Sequence, residues 1–131
     1  MTYEDPRIVE EKVKLIDYEI IATIIFIMAT IVSVILLYNE KLDILNQKKL
    51  FSESESKTIN IIRSTVILAI ILFRQYINYR TKEVNAIEGQ NPAPINLDII
   101  TSYFLIIAAI VALYSAYISP VEEEEGVIPL V

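Results

Sequence analysis

The chain has 131 residues and a composition that excludes several classes of function. It has no cysteine, histidine or tryptophan and only two glycines, so disulfides, thiolate or histidine catalysis, Cys/His metal sites and glycine-rich phosphate loops cannot form. The net charge of −6, from 17 acidic and 11 basic residues, argues against nucleic acid as a partner.

Three apolar runs account for a hydrophobic fraction of 54%, which is above that of ordinary soluble domains. A helix of about 20 apolar residues rises about 30 Å, which matches the hydrocarbon core of a bilayer. The sequence therefore predicts an all-α integral membrane protein with three transmembrane helices in a single domain. The predicted division is an N-terminal segment at 1–19, spans at 20–39, 58–78 and 98–119, loops at 40–57 and 79–97, and an acidic tail at 120–131.

The N-terminal segment is charged and contains a helix start signal. Asp5 followed by Pro6 is typical of an N-cap and a first helical residue. Val9, Val13 and Ile16 then recur at helical spacing. We expect a short interfacial helix that leads into the first span.

Small residues are clustered on one side of the first span. Ala22, Ala29 and Ser33 lie within about 20° of one another on a helical wheel. Because small side chains let a second helix approach closely, this pattern predicts a helix-packing face. The alternative is that these residues are scattered among isoleucines without a specific partner.

Both predicted loops contain residues that interrupt helices. Serine and glutamate alternate over residues 52–56, which we interpret as a solvated turn, with phosphorylation by an acid-directed kinase as the alternative. The second loop contains Gly89 and the turn sequence Asn-Pro-Ala-Pro at 91–94. Asn96 is then the predicted N-cap of the third span.

The second span contains two arginines, Arg63 and Arg74, which are 11 residues apart and therefore lie within about 20° of one another on one helix face. Each is about 8 to 9 Å from the middle of the predicted span, so that its side chain can extend toward the nearer headgroup layer. The alternative is an arginine stripe, with asparagines at both ends, that lines a polar path. Glu40 is the candidate ion-pair partner of Arg63. Asp17, Glu19 and Asp98 lie at the membrane level of Arg74, and Asp98 is the candidate partner whose pairing we test.

The third span has the clearest packing pattern, because Ala108, Ala112 and Ala116 follow one another at four-residue spacing. We expect this face to contact another copy of the chain or a different membrane protein. Basic residues near the spans number six on the N-terminal side and five on the other, and the tail after Pro120 has none. This distribution favours a cytoplasmic N-terminus.

The chain resembles small membrane proteins of large AT-rich DNA viruses in its length and in its isoleucine and asparagine content. It also resembles them in the sequences Tyr-Glu-Asp-Pro at 3–6 and Tyr-Asn-Glu-Lys-Leu at 38–42. The resemblance implies a protein of the virion's internal membrane that binds capsid proteins through its loops. We therefore expect a non-enzymatic structural or accessory membrane protein without a cofactor or metal, packed into a larger assembly. The alternative is an oligomeric pore, a holin-like protein or a transporter subunit with an Arg/Asn stripe on span 2.

Overall fold

The computed structural model describes residues 5–121, which form three α-helices. They are α1 (Pro6–Ile44), α2 (Glu53–Ile87) and α3 (Ala93–Ile118). Each helix is long and apolar enough to cross a membrane, which suggests a multi-pass membrane protein. Many large apolar side chains are exposed, as a lipid environment requires; Phe104 is 69% exposed and Leu37 is 65% exposed. The prediction of three long apolar helices is thus confirmed, whereas the acidic tail after Val121 lies outside the described residues.

The start of α1 confirms the predicted cap. A side-chain oxygen of Asp5 accepts a hydrogen bond from the backbone N–H of Arg7 at 2.8 Å, and Pro6 is the first helical residue. Donation by this N–H lowers the pKa of Asp5. The helix then continues to Ile44, because no glycine or proline follows Pro6 within it. The expected interfacial helix and the first apolar run are therefore one helix, about 58 Å long.

The connection between α1 and α2 is shorter than the predicted loop. Ser52 and Glu55 form a capping box: the Ser52 hydroxyl accepts from the backbone N–H of Glu55 at 3.1 Å, and the Glu55 carboxylate accepts from the backbone N–H of Ser52 at 3.0 Å. The prediction of a turn over residues 52–56 is wrong after Ser52, because the serine–glutamate run begins a helix.

The second connection turns at Gly89, whose φ of 71° favours glycine. The Asn91 side chain accepts a hydrogen bond from the backbone N–H of Ala93 at 3.0 Å, and α3 begins there. The prediction of Asn96 as N-cap is wrong: its backbone N–H donates to the carbonyl of Pro92 at 2.9 Å, inside the helix. Prolines fit the first helical turn because its N–H groups have no intrahelical acceptor, so the Asn-Pro-Ala-Pro sequence starts α3.

Helix α2 lies between the other two helices, since among the described residues α1 and α3 contact α2 but not each other. Its buried and half-buried residues form two stripes, each with alternating spacings of three and four residues, the pattern of helices packed as in a left-handed coiled coil. The stripe that faces α1 comprises Ser56, Asn60, Arg63, Ile67, Ile70, Arg74, Ile77, Thr81 and Val84. The stripe that faces α3 comprises Lys57, Ile61, Ser64, Leu68, Ile71, Gln75, Asn78, Lys82 and Asn85.

The flanking helices present matching faces to α2. On α1, the buried residues Leu15, Ala22 and Ala29 recur at seven-residue intervals. Leu15 packs with Ile77 and Val84 of α2 in an apolar cluster. The buried residues of α3 are Ile95, Ile99, Ser102, Ala109 and Ala116. Among the described residues, all interhelical contacts therefore involve α2.

Candidate functional site

Polar and charged side chains lie along α2, and the structure places both arginines in the stripe that faces α1. Arg63 and Arg74 thus share one face of the helix, as their spacing predicts. That face is covered by a neighbouring helix of the same chain. Asn78, which the sequence places near the arginines, belongs to the stripe that faces α3. The polar residues of α2 are therefore divided between two interfaces.

Arg74 is held by a hydroxyl group of α1. Its Nη2 donates to Thr23 Oγ1 at 2.9 Å, while the same hydroxyl donates to the carbonyl of Glu19 at 2.8 Å. The Arg74 Nε is buried and has no hydrogen-bond partner within residues 5–121. Asp98 does not pair with Arg74 in this part of the chain. The arginine therefore links α2 to α1, and the structure does not bring it to α3.

Arg63 is held by a residue of its own helix. Its Nε and Nη2 donate to Asn60 Oδ1 at 3.3 and 2.7 Å. Of the five N–H groups of a guanidinium, three have no partner among the described residues. Glu40 lines the same cavity as Arg63 but forms no ion pair with it in the described fold. The structure thus places these two candidate partners on one cavity without an ion pair between them.

The cavity beside Arg63 has a volume of about 620 Å³ and lies near the α1–α2 connection. Its charged lining residues are Glu40, Asp43, Lys49, Glu53 and Arg63. Within this group, Lys49 and Asp43 form an ion pair of 3.5 Å. Both acidic and basic groups therefore face one space that is large enough for a small polar molecule or headgroup.

A second cavity, of about 350 Å³, is apolar and lies along α1 and α2. Arg63 is the only charged residue that lines it among those the structure describes, and Arg63 also lines the polar cavity. The other lining residues are Ile25, Met28, Ala29, Val32, Ile59, Ile62 and Val66. The two cavities therefore meet at this arginine, one polar and one apolar.

Asn39 fixes the α1–α2 connection at the edge of the polar cavity. Its Oδ1 accepts from the backbone N–H groups of Leu50 and Phe51 at 2.7 and 2.9 Å. Its Nδ2 donates to the carbonyl of Phe51 at 3.2 Å and to Ser56 Oγ at 3.1 Å. The sequence predicts Asn39 only as the end of the first span. At 100° per residue it lies about 80° from Ala29 on the helical wheel, so the predicted packing face gives no signal for its burial.

A separate set of polar contacts joins α2 to α3. The buried Gln75 donates from Nε2 to the carbonyl of Ile99 at 3.1 Å. Asn78 Nδ2 donates to Ser102 Oγ at 2.9 Å and to Gln75 Oε1 at 3.1 Å. These buried polar groups satisfy one another, so their role is to fix the packing of the two helices.

Ion pairs connect the beginning of α1 to the end of α2, outside the apolar runs. Arg80 contacts Glu11 at 2.8 Å and Glu83 at 2.6 Å, and Lys12 contacts Glu88 at 2.8 Å. The hydrogen bond from Arg80 lowers the pKa of the Glu11 carboxyl. These contacts hold the two helix ends together on the side of the molecule opposite Arg63.

The predicted packing residues of α1 lie at the contact with α2. Ala22 and Ala29 are 2% and 7% exposed, and Ser33 is half-buried, with its hydroxyl donating to the carbonyl of Ala29 at 3.2 Å. Because these side chains are small, α1 packs closely against α2.

On α3, the predicted face and the contact with α2 only partly coincide. Ala116 is buried, but Ala108 and Ala112 are exposed. Ala109 occupies the contact with α2 instead. The predicted alanine face therefore lies beside this contact and is turned partly away from α2.

Within residues 5–121, no group of three or more His, Cys, Asp or Glu side chains is placed to hold a metal ion. Comparison with protein-family models, curated proteins and solved structures finds no match for this chain. Functional inference therefore depends on the contacts and surfaces described above.

Proposed function

We propose that this protein is a non-enzymatic structural or accessory membrane protein that spans the bilayer three times and packs into a larger assembly. The observation that carries this proposal is the exposure of Ala108 and Ala112 on α3, outside its contact with α2. Ser115, one turn further on, is also exposed and extends the same narrow surface. Because a helix can approach such small residues closely, this surface fits a transmembrane helix of another subunit.

The arrangement of the helices supports this proposal. Since α1 and α3 do not contact each other among the described residues, α1 does not cover the exposed alanines of α3. Large side chains such as Phe104 and Tyr114 gain little from leaving lipid for another apolar surface, whereas small residues permit close backbone contact. Packing of a partner helix at Ala108 and Ala112 therefore has a geometric basis that the rest of the lipid-facing surface lacks.

The resemblance to small viral membrane proteins extends the proposal to one kind of assembly. In that setting the chain is a component of a virion membrane, and its two connections bind capsid-type proteins outside the bilayer. The distribution of basic residues near the spans places the N-terminus on the cytoplasmic side under the same proposal. Labelling of single introduced cysteines in residues 45–52 and 88–92 tests this arrangement, since three spans require opposite accessibility for the two connections.

The test of assembly compares Ala112→Leu with Ala69→Leu. Ala69 is also exposed, and it lies on the surface of α2 between its two interfaces. Both variants carry the same substitution, so a general effect of a larger lipid-facing side chain appears in both. We expect Ala112→Leu to reduce self-association in proteoliposomes, measured by energy transfer between labelled copies, or to remove partners that co-purify in mild detergent.

Equal association and equal co-purification of wild type, Ala112→Leu and Ala69→Leu would contradict the proposal. The alternative of an oligomeric pore is less well supported, because Arg63 and Arg74 face α1 while Asn78 faces α3. These side chains cannot all line one pore unless α2 separates from α1 or α3. Conductance of the purified protein in planar bilayers distinguishes the two functions, since a structural protein passes no current under ion gradients.

A further inference from the structure

We propose that the chain binds one phosphatidylethanolamine-type phospholipid, with its headgroup in the polar cavity beside Arg63 and one acyl chain in the adjoining apolar cavity. This inference requires only that the helices lie in a membrane. It does not depend on the proposed assembly through α3, because the two cavities are lined by α1, α2, the connection between them and Pro120.

Arg63 supplies the group that recognises the phosphate. Its contact with Asn60 fixes the guanidinium while leaving three N–H donors without a partner among the described residues. Nη1, which has no partner among the described residues, is not one of the fully buried polar atoms, so it keeps some exposure. A guanidinium with accessible paired donors is well suited to phosphate oxygens.

Glu40 supplies the complementary group. Its side chain lines the same cavity, is exposed, and forms no ion pair within the described part of the chain. Asp43, by contrast, is already paired with Lys49. Besides the Asp43–Lys49 pair and Glu53, the cavity therefore presents Arg63 and Glu40, a cation and an anion that do not pair with each other. A zwitterionic headgroup, which carries a phosphate and an amine a few bonds apart, satisfies both at once.

The lining of the polar cavity also discriminates between zwitterionic headgroups. The ammonium of ethanolamine has N–H groups that donate to the Glu40 carboxylate, whereas the quaternary ammonium of choline has none. Choline is bound in proteins by aromatic side chains. Among the described residues that line this cavity none is aromatic. The site therefore favours a primary amine.

The apolar cavity explains how a lipid is held beyond its headgroup. It is lined by Arg63 and by apolar residues of both helices, of which Ala29 and Val66 lie nearer the middle of the predicted spans than Arg63 does. An acyl chain attached to a phosphate at Arg63 therefore enters an apolar surface that extends toward the bilayer centre. Among the described residues, no polar side chain other than Arg63 lines it.

The first experiment measures lipid binding to the full-length protein in detergent by native mass spectrometry. The protein is titrated with phosphatidylethanolamine, phosphatidylcholine and phosphatidylglycerol of identical acyl chains. We expect one tightly bound phosphatidylethanolamine and weaker binding of the other two lipids. Equal affinity for all three lipids overturns the proposal, since it indicates non-selective association with the apolar surface.

Two variants and a matched control locate the site. Arg63→Gln should weaken binding of phosphatidylethanolamine roughly 10- to 100-fold, the effect of losing a hydrogen bond to a charged group. Glu40→Gln removes the negative charge but keeps one oxygen acceptor, so it should reduce the preference for ethanolamine over choline. Glu40 is exposed, so this substitution should not disturb folding. Arg74→Gln removes an arginine from the same stripe but does not line either cavity, so it should bind as wild type. Wild-type lipid selectivity in Glu40→Gln overturns the assignment even if Arg63→Gln fails to fold.

A second experiment places the acyl chain. Phosphatidylethanolamine with a photoreactive group in one acyl chain is crosslinked to the protein in proteoliposomes, and the modified peptides are mapped. Crosslinks concentrated in residues 25–32 and 59–66 are the expected result. Crosslinks spread evenly over the outer surfaces of all three helices overturn the proposal, because they describe ordinary contact with bulk lipid.

Discussion

The contacts of Asn39 lead to a quantitative prediction for the α1–α2 connection. In Asn39→Ala four hydrogen bonds are lost, to the backbone of Leu50 and Phe51 and to the hydroxyl of Ser56. A typical intramolecular hydrogen bond contributes about 1 kcal/mol net. Water can replace the partner at Leu50, which is exposed. We therefore expect the free energy of opening this connection to fall by about 2–4 kcal/mol.

Hydrogen exchange of the full-length protein in detergent micelles measures this effect directly. A decrease of 2 kcal/mol corresponds to about 30-fold faster exchange of the Leu50 and Phe51 amides. The control is Gln47→Ala in the same connection, because the Gln47 side chain is exposed and its backbone N–H, which bonds to the Leu42 carbonyl, is unaffected. Unchanged protection of both amides in Asn39→Ala would refute the role assigned to this side chain.

Three further predictions concern the helix contacts. Arg74→Glu should lower the free energy of unfolding in mixed micelles by roughly 1–3 kcal/mol, because Arg74 donates a hydrogen bond to α1. Adding Asp98→Arg should not restore the stability. Restoration would support an ion pair between Arg74 and Asp98. The Glu11 carboxyl has a pKa lowered from its ordinary value of 4.5, so its ion pair contributes fully above that pH and is lost as the pH falls through the lowered value. In Glu11→Gln this dependence of unfolding on acid pH should disappear, and an identical dependence would count against the pair. Ala109→Leu should lower the free energy of unfolding by about 1–3 kcal/mol, because Ala109 is buried in the contact with α2. Ala108→Leu should leave it unchanged, and equal stabilities of the two variants would show that the α2–α3 contact lies elsewhere.

The sequence predicts the three helices because each contains an apolar stretch long enough to cross a hydrocarbon core about 30 Å thick. The helix ends are less predictable, since α1 continues beyond its apolar run to a length of about 58 Å. The sequence also predicts the Asp5 cap, since an N-cap and a following proline act locally. The serine–glutamate run was harder to interpret. Alternating polar residues are common in turns, and only the relation of Ser52 to Glu55, three residues later, distinguishes a capping box.

Partners of polar side chains were less predictable than helices. Membrane depth alone made Asp98 a reasonable partner for Arg74, but depth does not specify the direction in which a side chain points around the helix axis. The structure turns Arg74 toward Thr23. Similarly, four-residue spacing predicts that Ala108, Ala112 and Ala116 form one packing face. The alternating three- and four-residue spacing of coiled-coil packing instead places Ala109 at the contact with α2.

The central position of α2 has a consequence for biosynthesis. An arginine at the centre of a membrane helix costs about 2.5–3.5 kcal/mol on insertion, and less toward the ends. With two arginines in its predicted span, α2 is a poorer substrate for the translocon than α1 or α3, whose predicted spans contain no arginine. Helix α1 is synthesised first and carries Thr23, the acceptor for Arg74. If α1 and α2 enter the membrane as a hairpin, α2 leaves the translocon with Arg74 already bonded to Thr23. Helix α3 then packs against an α2 that is already in place.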